Sequence, residues 1–140
     1  NPYIIYGKND KNIYVIIGNG QKIRSKVIKD ADINSFEIME IGAYSRDKNN
    51  IYFTYSDVVK MKDVDKDSFT IGEHGFSYDK NSVYFYGKKI DGISPKGFKI
   101  VDLAVNSWKP VTFALLTDSK NLYKFIYKFD DEEYNLKKTA

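Results

Sequence analysis

Apolar and aromatic residues run along this chain in short stretches separated by clusters of Asn, Asp, Gly and Lys. In some stretches they alternate with polar residues, as in Tyr123-Lys124-Phe125-Ile126-Tyr127-Lys128-Phe129. In others they follow one another, as in Tyr52-Phe53 and Tyr84-Phe85-Tyr86. Period-two alternation predicts strands, and it puts Tyr123, Phe125, Tyr127 and Phe129 on one face, which is read as core. The clusters between are turn chemistry, because Asp and Asn side chains bond their own backbone and tolerate left-handed conformations.

Aligned against itself, the chain resolves into copies of one unit. Asn9-Asp10-Lys11-Asn12-Ile13-Tyr14, Asp47-Lys48-Asn49-Asn50-Ile51-Tyr52, Asp79-Lys80-Asn81-Ser82-Val83-Tyr84 and Asp118-Ser119-Lys120-Asn121-Leu122-Tyr123 share a pattern, and their final tyrosines lie 38, 32 and 39 residues apart. Such a period marks a repeat architecture. An apolar or aromatic residue stands three positions ahead of each: Tyr6, Tyr44, Phe76 and Leu115. A second shared segment follows in three copies, carrying Phe36, Phe69 and Phe98. Asp32, Asp65 and Ser94 occupy its N-cap position and Pro95 the first helical position, which predicts a single helical turn, followed by a short strand. Further hairpin turns are expected at Asn19-Gly20 and at Tyr86-Gly87-Lys88.

The expected fold is therefore mainly β: about three and a half antiparallel hairpin repeats stacked into one curved sheet, with short single-turn helices between strands. One domain spans residues 1–140, with copies over about 3–40, 41–73 and 74–103 and a partial copy over 111–140. One copy alone cannot bury both its Tyr and its Phe, whereas stacked copies bury them together.

Composition narrows the function classes. The formal charge is +3, with 11 basic and 11 acidic residues over 1–75 and 11 basic and 8 acidic over 76–140. That even spread gives no basic patch and no case for nucleic-acid binding by charge. There is no Cys, hence no disulfide framework or thiolate chemistry. No apolar run approaches the ~18 residues of a membrane span. The chain starts Asn1-Pro2-Tyr3 without Met, so a mature or trimmed product is expected, with any targeting segment outside this sequence. Twelve Tyr, nine Phe and one Trp favour strands, where flat rings pack on the pleat.

The Asp-Lys-Asn-x-aliphatic-Tyr motif, followed by Gly87-Lys88-Lys89-Ile90-Asp91-Gly92 and Pro95-Lys96-Gly97-Phe98, resembles the bacterial DKNYY family. Residues 79–101 carry the likeness best, and 9–38 and 47–71 more loosely. The resemblance implies an envelope-associated or secreted bacterial protein, or a small accessory protein; it implies no catalytic residues.

Catalytic chemistry finds little support. His74, the single His, lies in the loop Gly72-Glu73-His74-Gly75, without a partnering nucleophile motif. Asp63, Asp65 and Asp67, and likewise Asp30, Asp32 and Asn34, have the alternating oxygen ligands of a calcium loop. Ser68 and Ser35 stand where that loop needs Gly, and His74 and Ile41 where it needs Glu. Helix capping accounts for these acids without an ion, so no metal and no cofactor is expected. Ile17-Gly18-Asn19-Gly20 lacks the third Gly and the helix of a phosphate loop.

Aromatics remain. Tyr52-Phe53 and Tyr84-Phe85-Tyr86 supply rings to both faces of their strands, so a surplus face must be covered or left sticky. Tyr55, Tyr86, Trp108 and Tyr127 are the candidate binding residues. The expected function is a non-enzymatic protein-interaction module of an envelope-associated or secreted protein, whose partner is another protein. A small intracellular immunity protein that neutralises a bacterial toxin is the first alternative. A carbohydrate-binding or hydrolytic domain is the second.

Overall fold

The computed structural model describes residues 2–106 and 108–139, and among these every regular element is a strand. The first sheet holds β1 (Tyr3–Lys8), β2 (Ile13–Gly18) and β3 (Ile23–Val27). The second holds β4 (Glu37–Ile38), β5 (Tyr44–Arg46), β6 (Ile51–Thr54) and β7 (Val58–Lys60). The third holds β8 (Thr70–Ile71), β9 (Phe76–Tyr78), β10 (Val83–Phe85) and β11 (Lys88–Ile90). The fourth holds β12 (Lys99–Asn106), β13 (Val111–Thr117), β14 (Leu122–Lys128) and β15 (Glu133–Lys138). In each sheet sequential strands are neighbours in an antiparallel meander. The chain divides into two compact units, Asn1–Asp79 with Tyr84–Lys89 and Lys80–Val83 with Ile90–Ala140.

The β class and the hairpin repeats are as the sequence predicts, but each repeat makes its own small sheet instead of a share of one curved sheet. The reason lies in the second segment. The Asp32 amide donates to the Asp47 carboxylate at 2.8 Å rather than to a strand carbonyl, so the ladder stops there and restarts in the next repeat. The predicted single-turn helices are likewise hydrogen-bonded turns. Asp32 Oδ2 accepts the Ser35 amide at 3.0 Å, which is N-cap geometry. Glu37 is already in β4, so no i→i−4 ladder can follow. In the third copy the Phe98 amide closes onto the Pro95 carbonyl at 3.1 Å, a three-residue turn.

The repeat Asp explains the period. Asp47 Oδ1 accepts the amides of Asn49 (2.8 Å) and Asn50 (2.7 Å), closing the turn, while Oδ2 accepts the Tyr52 hydroxyl (2.8 Å) and the Asp32 amide of the preceding copy. Asp118 repeats all four contacts: Lys120 and Asn121 amides on Oδ1 at 2.9 and 2.8 Å, Tyr123 hydroxyl and Ser94 amide on Oδ2 at 2.7 and 3.1 Å. Asp79 Oδ2 takes Tyr84 and the Asp65 amide, both at 2.8 Å. One carboxylate thus shapes a turn, anchors a buried phenol and clasps the previous copy. In the first copy Asn9 Oδ1 makes the turn, accepting Lys11 and Asn12 amides at 2.9 Å, and its Nδ2 donates to the Tyr14 hydroxyl at 3.3 Å. Asn19 makes the same kind of turn with Gln21 and Lys22 amides at 3.0 and 2.9 Å, so that hairpin has a four-residue connection rather than a two-residue Asn-Gly turn.

Phenylalanine wedges complete each junction of the first unit. Phe36 lies between Tyr6 (5.9 Å between ring centroids) and Tyr52 (6.3 Å), and Phe69 between Tyr44 (5.7 Å) and Tyr84 (6.5 Å). Tyr52 joins the core of Ile13, Val15, Ile17 and Ile28, and Tyr84 joins Ile51, Phe53 and Met61. Both faces of β6 and β10 are buried, whereas β2 and β14 alternate buried and exposed. In the second unit Tyr123, Phe125 and Tyr127 form the inner face, as their alternation predicts. In the fourth copy Leu115, at the position of Tyr44, is 37% exposed, and its neighbour Leu116 is fully buried. Leu116 pairs with Tyr123 just as Ser45 pairs with Tyr52, so register and counting agree, and the fourth copy's buried aliphatic side chain stands at the position of Ser45. Asp130, Asp131 and Glu132 form the turn into β15, which begins at Glu133.

Candidate functional site

Two surfaces stand out in the first unit. The first is an aromatic groove of about 420 Å³ to which Ile4, Ile41, Ile71, Tyr55, Tyr86 and His74 contribute. The Tyr55 and Tyr86 rings meet edge-on, 4.9 Å apart at 87°, and Tyr86 also stands against Phe53 at 5.5 Å. The backbone is bent to put Tyr86 there. Tyr86 and Gly87 (φ 49° and 78°) form the two-residue turn between β10 and β11. Two successive positive φ values define a type I′ turn, where Asn-Gly is the ordinary choice. A bulky aromatic in that region costs about 1–3 kcal/mol of strain, and such strain clusters at functional sites. His74 repeats the oddity at φ 54°, beside Gly75 at φ 86°. A Cβ on Gly75 would lie 2.1 Å from the Tyr86 ring, and one on Gly87 would lie 2.8 Å from Phe53 Cβ. The Tyr86 amide donates to the Gly75 carbonyl at 2.9 Å, tying the two bent segments together. Among the described residues no Asp, Glu, Lys or Arg lines this groove.

The second surface is the outer face of the first sheet. Strand register puts Tyr3, Gly18 and Ile23 in one row, Ile5, Ile16 and Ser25 in the next, and Gly7, Tyr14 and Val27 in a third. All six large side chains are exposed, from Tyr14 at 36% to Ile23 at 79%, and no position carries a charge. The corresponding tyrosines of the later copies, Tyr52, Tyr84 and Tyr123, are all buried. The second unit's outward face differs. There Lys124 occupies the position held by buried Val15, Phe53 and Phe85 in the other copies, beside exposed Phe113 and Leu115.

The structure brings together Tyr55 and Tyr86 among the residues singled out from sequence. Trp108 and Tyr127 belong to the second unit. Trp108 is 95% exposed, on a turn whose amide bonds Asn106 Oδ1 at 3.0 Å, while Tyr127 is buried edge-on against Phe129 at 4.8 Å. Pattern reading missed the first sheet's outer face, although Ile13-Tyr14-Val15-Ile16-Ile17 already carries apolar residues on both faces. It also missed the isoleucine lining of the groove, contributed by β1 of the first sheet, the β4–β5 connection of the second and β8 of the third.

Of the calcium-loop candidates, Asp32 Oδ2 takes the Ser35 amide and hydroxyl, and Asp65 Oδ2 takes the Ser68 amide and hydroxyl. The Ser35 hydroxyl, outweighing burial, holds the Asp32 carboxyl below its ordinary range. Asp30 and Asp63 sit at positive φ, 61° and 56°. Among the described residues no three His, Cys, Asp or Glu side chains converge as a metal-holding group.

No helix among the described residues is long and apolar enough to cross a membrane. No curated protein and no solved structure matches the chain. The pattern of the DKNYY family matches residues 54–139, well over half of the sequence and with both Asp79 and Asp118 clasps inside it, and the chain belongs to the DKNYY family.

Proposed function

We propose that this chain is a non-enzymatic protein-interaction module and that the outer face of β1–β3 is its docking surface. The observation that carries the reading is that face itself: nine positions and six large exposed apolar side chains, without a charge, in a chain with 29% charged residues. In the fourth copy the exposed face carries Lys124, whereas the nine positions of the β1–β3 face carry no charged side chain. Contiguous apolar surface of this kind marks interaction sites on soluble proteins.

An Ile16→Lys variant tests the reading. Ile16 is 41% exposed at the centre of the face, so the substitution alters the surface and leaves the core intact. Native and variant chains would be cross-linked in fractions of the source organism. A stoichiometric partner cross-linked to residues of β1–β3 on the native chain and lost from the variant supports the reading. Equal recovery by both moves the interface elsewhere. The partner's nature decides between an envelope or secreted module and a toxin-neutralising protein.

A further inference from the structure

The groove walled by Tyr55 and Tyr86 is a separate surface, and its lining has a chemistry of its own. Two perpendicular aromatic rings make a corner, and Ile4, Ile41 and Ile71 supply aliphatic walls. The polar side chains of the lining are the hydroxyls of Tyr44, Thr54, Tyr55 and Tyr86 and the His74 ring, and a phenol such as that of Tyr55 can donate to a ligand carbonyl. The absence of charge from the lining, in a chain that is 29% charged, points to a neutral ligand. Sugar recognition needs several polar groups converging on ring hydroxyls, usually carboxylates and amides, and among the described residues no Asp, Glu, Asn or Gln side chain lines the groove. A left-handed polyproline segment fits better. Its pyrrolidine rings pack against aromatic faces, its carbonyls have no internal partners and accept donors, and at each Pro it has no N–H that needs an acceptor.

The backbone argues that the corner is built for use. Tyr86 occupies a turn position where Asn is the unstrained choice, Gly75 leaves no Cβ to strike its ring, and Gly87 lets the turn close on Phe53. Strain retained at a residue that walls a groove is the pattern of a ligand clamp. We infer that this groove binds an extended proline-rich peptide, clasped in the Tyr55–Tyr86 corner. The inference uses none of the residues of the β1–β3 outer face.

The test is fluorescence anisotropy of the whole chain with fluorescein-labelled decaproline, alongside a Gly-Ser peptide of equal length and cellohexaose as competitor. Decaproline should bind saturably and the Gly-Ser peptide should not. Tyr55→Ala and Ile41→Ser should each weaken binding by about tenfold or more. Ile41 is 48% exposed, so its variant keeps the fold even if Tyr55→Ala does not. The Ile16→Lys chain should bind decaproline as the native chain does, which keeps this result separable from the fate of the outer-face reading. Absence of saturable decaproline binding, affinity unmoved by Ile41→Ser, equal affinity for the Gly-Ser peptide, or displacement by cellohexaose would each overturn the inference.

Discussion

Tyr52 donates its buried hydroxyl to Asp47 Oδ2 at 2.8 Å, and the pair recurs as Tyr84 with Asp79 at 2.8 Å and Tyr123 with Asp118 at 2.7 Å. Because the same Oδ2 also holds an amide of the preceding copy, each bond couples the inside of a repeat to its junction. Removing the phenol and removing the carboxylate therefore have different consequences. Tyr52→Phe deletes that bond and the longer one from Asn50 Nδ2 at 3.5 Å and leaves Asp47 with three amide donors, a loss of about 1–2 kcal/mol. Asp47→Asn is more damaging: its one carbonyl oxygen can serve the turn or the clasp but not both, and its amide group presents hydrogens to other donors. Urea denaturation should rank Asp47→Asn well below Tyr52→Phe; equal losses would mean that the clasp adds nothing to the turn.

The same pair sets the limits of stability in pH. Burial raises the Tyr52 phenol, and its bond to Asp47 adds to the effect, pushing it up to about 12. Its folded value lies above its unfolded one, so this contribution is complete below pH 10 and is lost as pH rises towards 12. Burial works against ionisation of Asp47 and of Asp118. The amide and phenol donors outweigh it, and both carboxyls are held below the usual range. Their contribution is complete above the unfolded value near 4 and is lost as pH falls through the lower folded values. Denaturant midpoints should be flat between about pH 5 and 9 and should decline outside that window. Tyr52→Phe should blunt the alkaline decline, which a pH series of midpoints would show directly.

Phe69 offers a test of the wedge. It is partly exposed, yet lies between Tyr44 and Tyr84, rings of successive repeats. Phe69→Ala should lower stability by about 2–3 kcal/mol, less than a fully buried Phe because part of the ring already meets water. Phe69→Leu should cost under about 1.5 kcal/mol. Thermal melts of both variants would separate volume loss from loss of ring contact; a Leu variant as damaged as the Ala variant would assign the effect to the rings.

Much of this was legible in the sequence, for local reasons. Turn chemistry at Asp47, Asp79 and Asp118 and alternation through β14 depend on neighbours within a few residues, and both appear as expected. The second segment looked helical because Asp32, Asp65 and Pro95 are good helix starters. What overrode them is the next repeat's carboxylate, a partner 15 residues away in the case of Asp32 and Asp47 and invisible to local propensity. Tyr55 and Tyr86 were singled out as ring-bearing residues, but their perpendicular meeting depends on positive φ at Tyr86, which no propensity would assign to a tyrosine. Asn9, which looks like a minor variant of the motif, reverses the sense of the tyrosine contact, its amide donating to the Tyr14 hydroxyl at 3.3 Å.

Gly97 reverses the usual logic of consensus repair. It occupies the position of Ser35 and Ser68, whose hydroxyls bond the capping Asp; Ser35 Oγ also accepts the Lys48 amide at 2.8 Å. In the third copy the job passes to backbone, the Ser119 amide donating to the Lys96 carbonyl at 3.0 Å. That arrangement brings the next repeat close: a Cβ on Gly97 would lie 3.0 Å from Ser119 N and 3.2 Å from its Cα, and Gly97 has φ 72°. Gly97→Ser would restore the repeat's own consensus and should nonetheless destabilise the second unit, by about 1 kcal/mol or more, through left-handed backbone strain and contact with immovable main chain. Hydrogen exchange should show faster exchange at the Ser119 and Tyr123 amides of the variant. If Gly97→Ser instead protected those amides, the backbone bond would be a weaker substitute for the serine bridge and not the reason for the glycine.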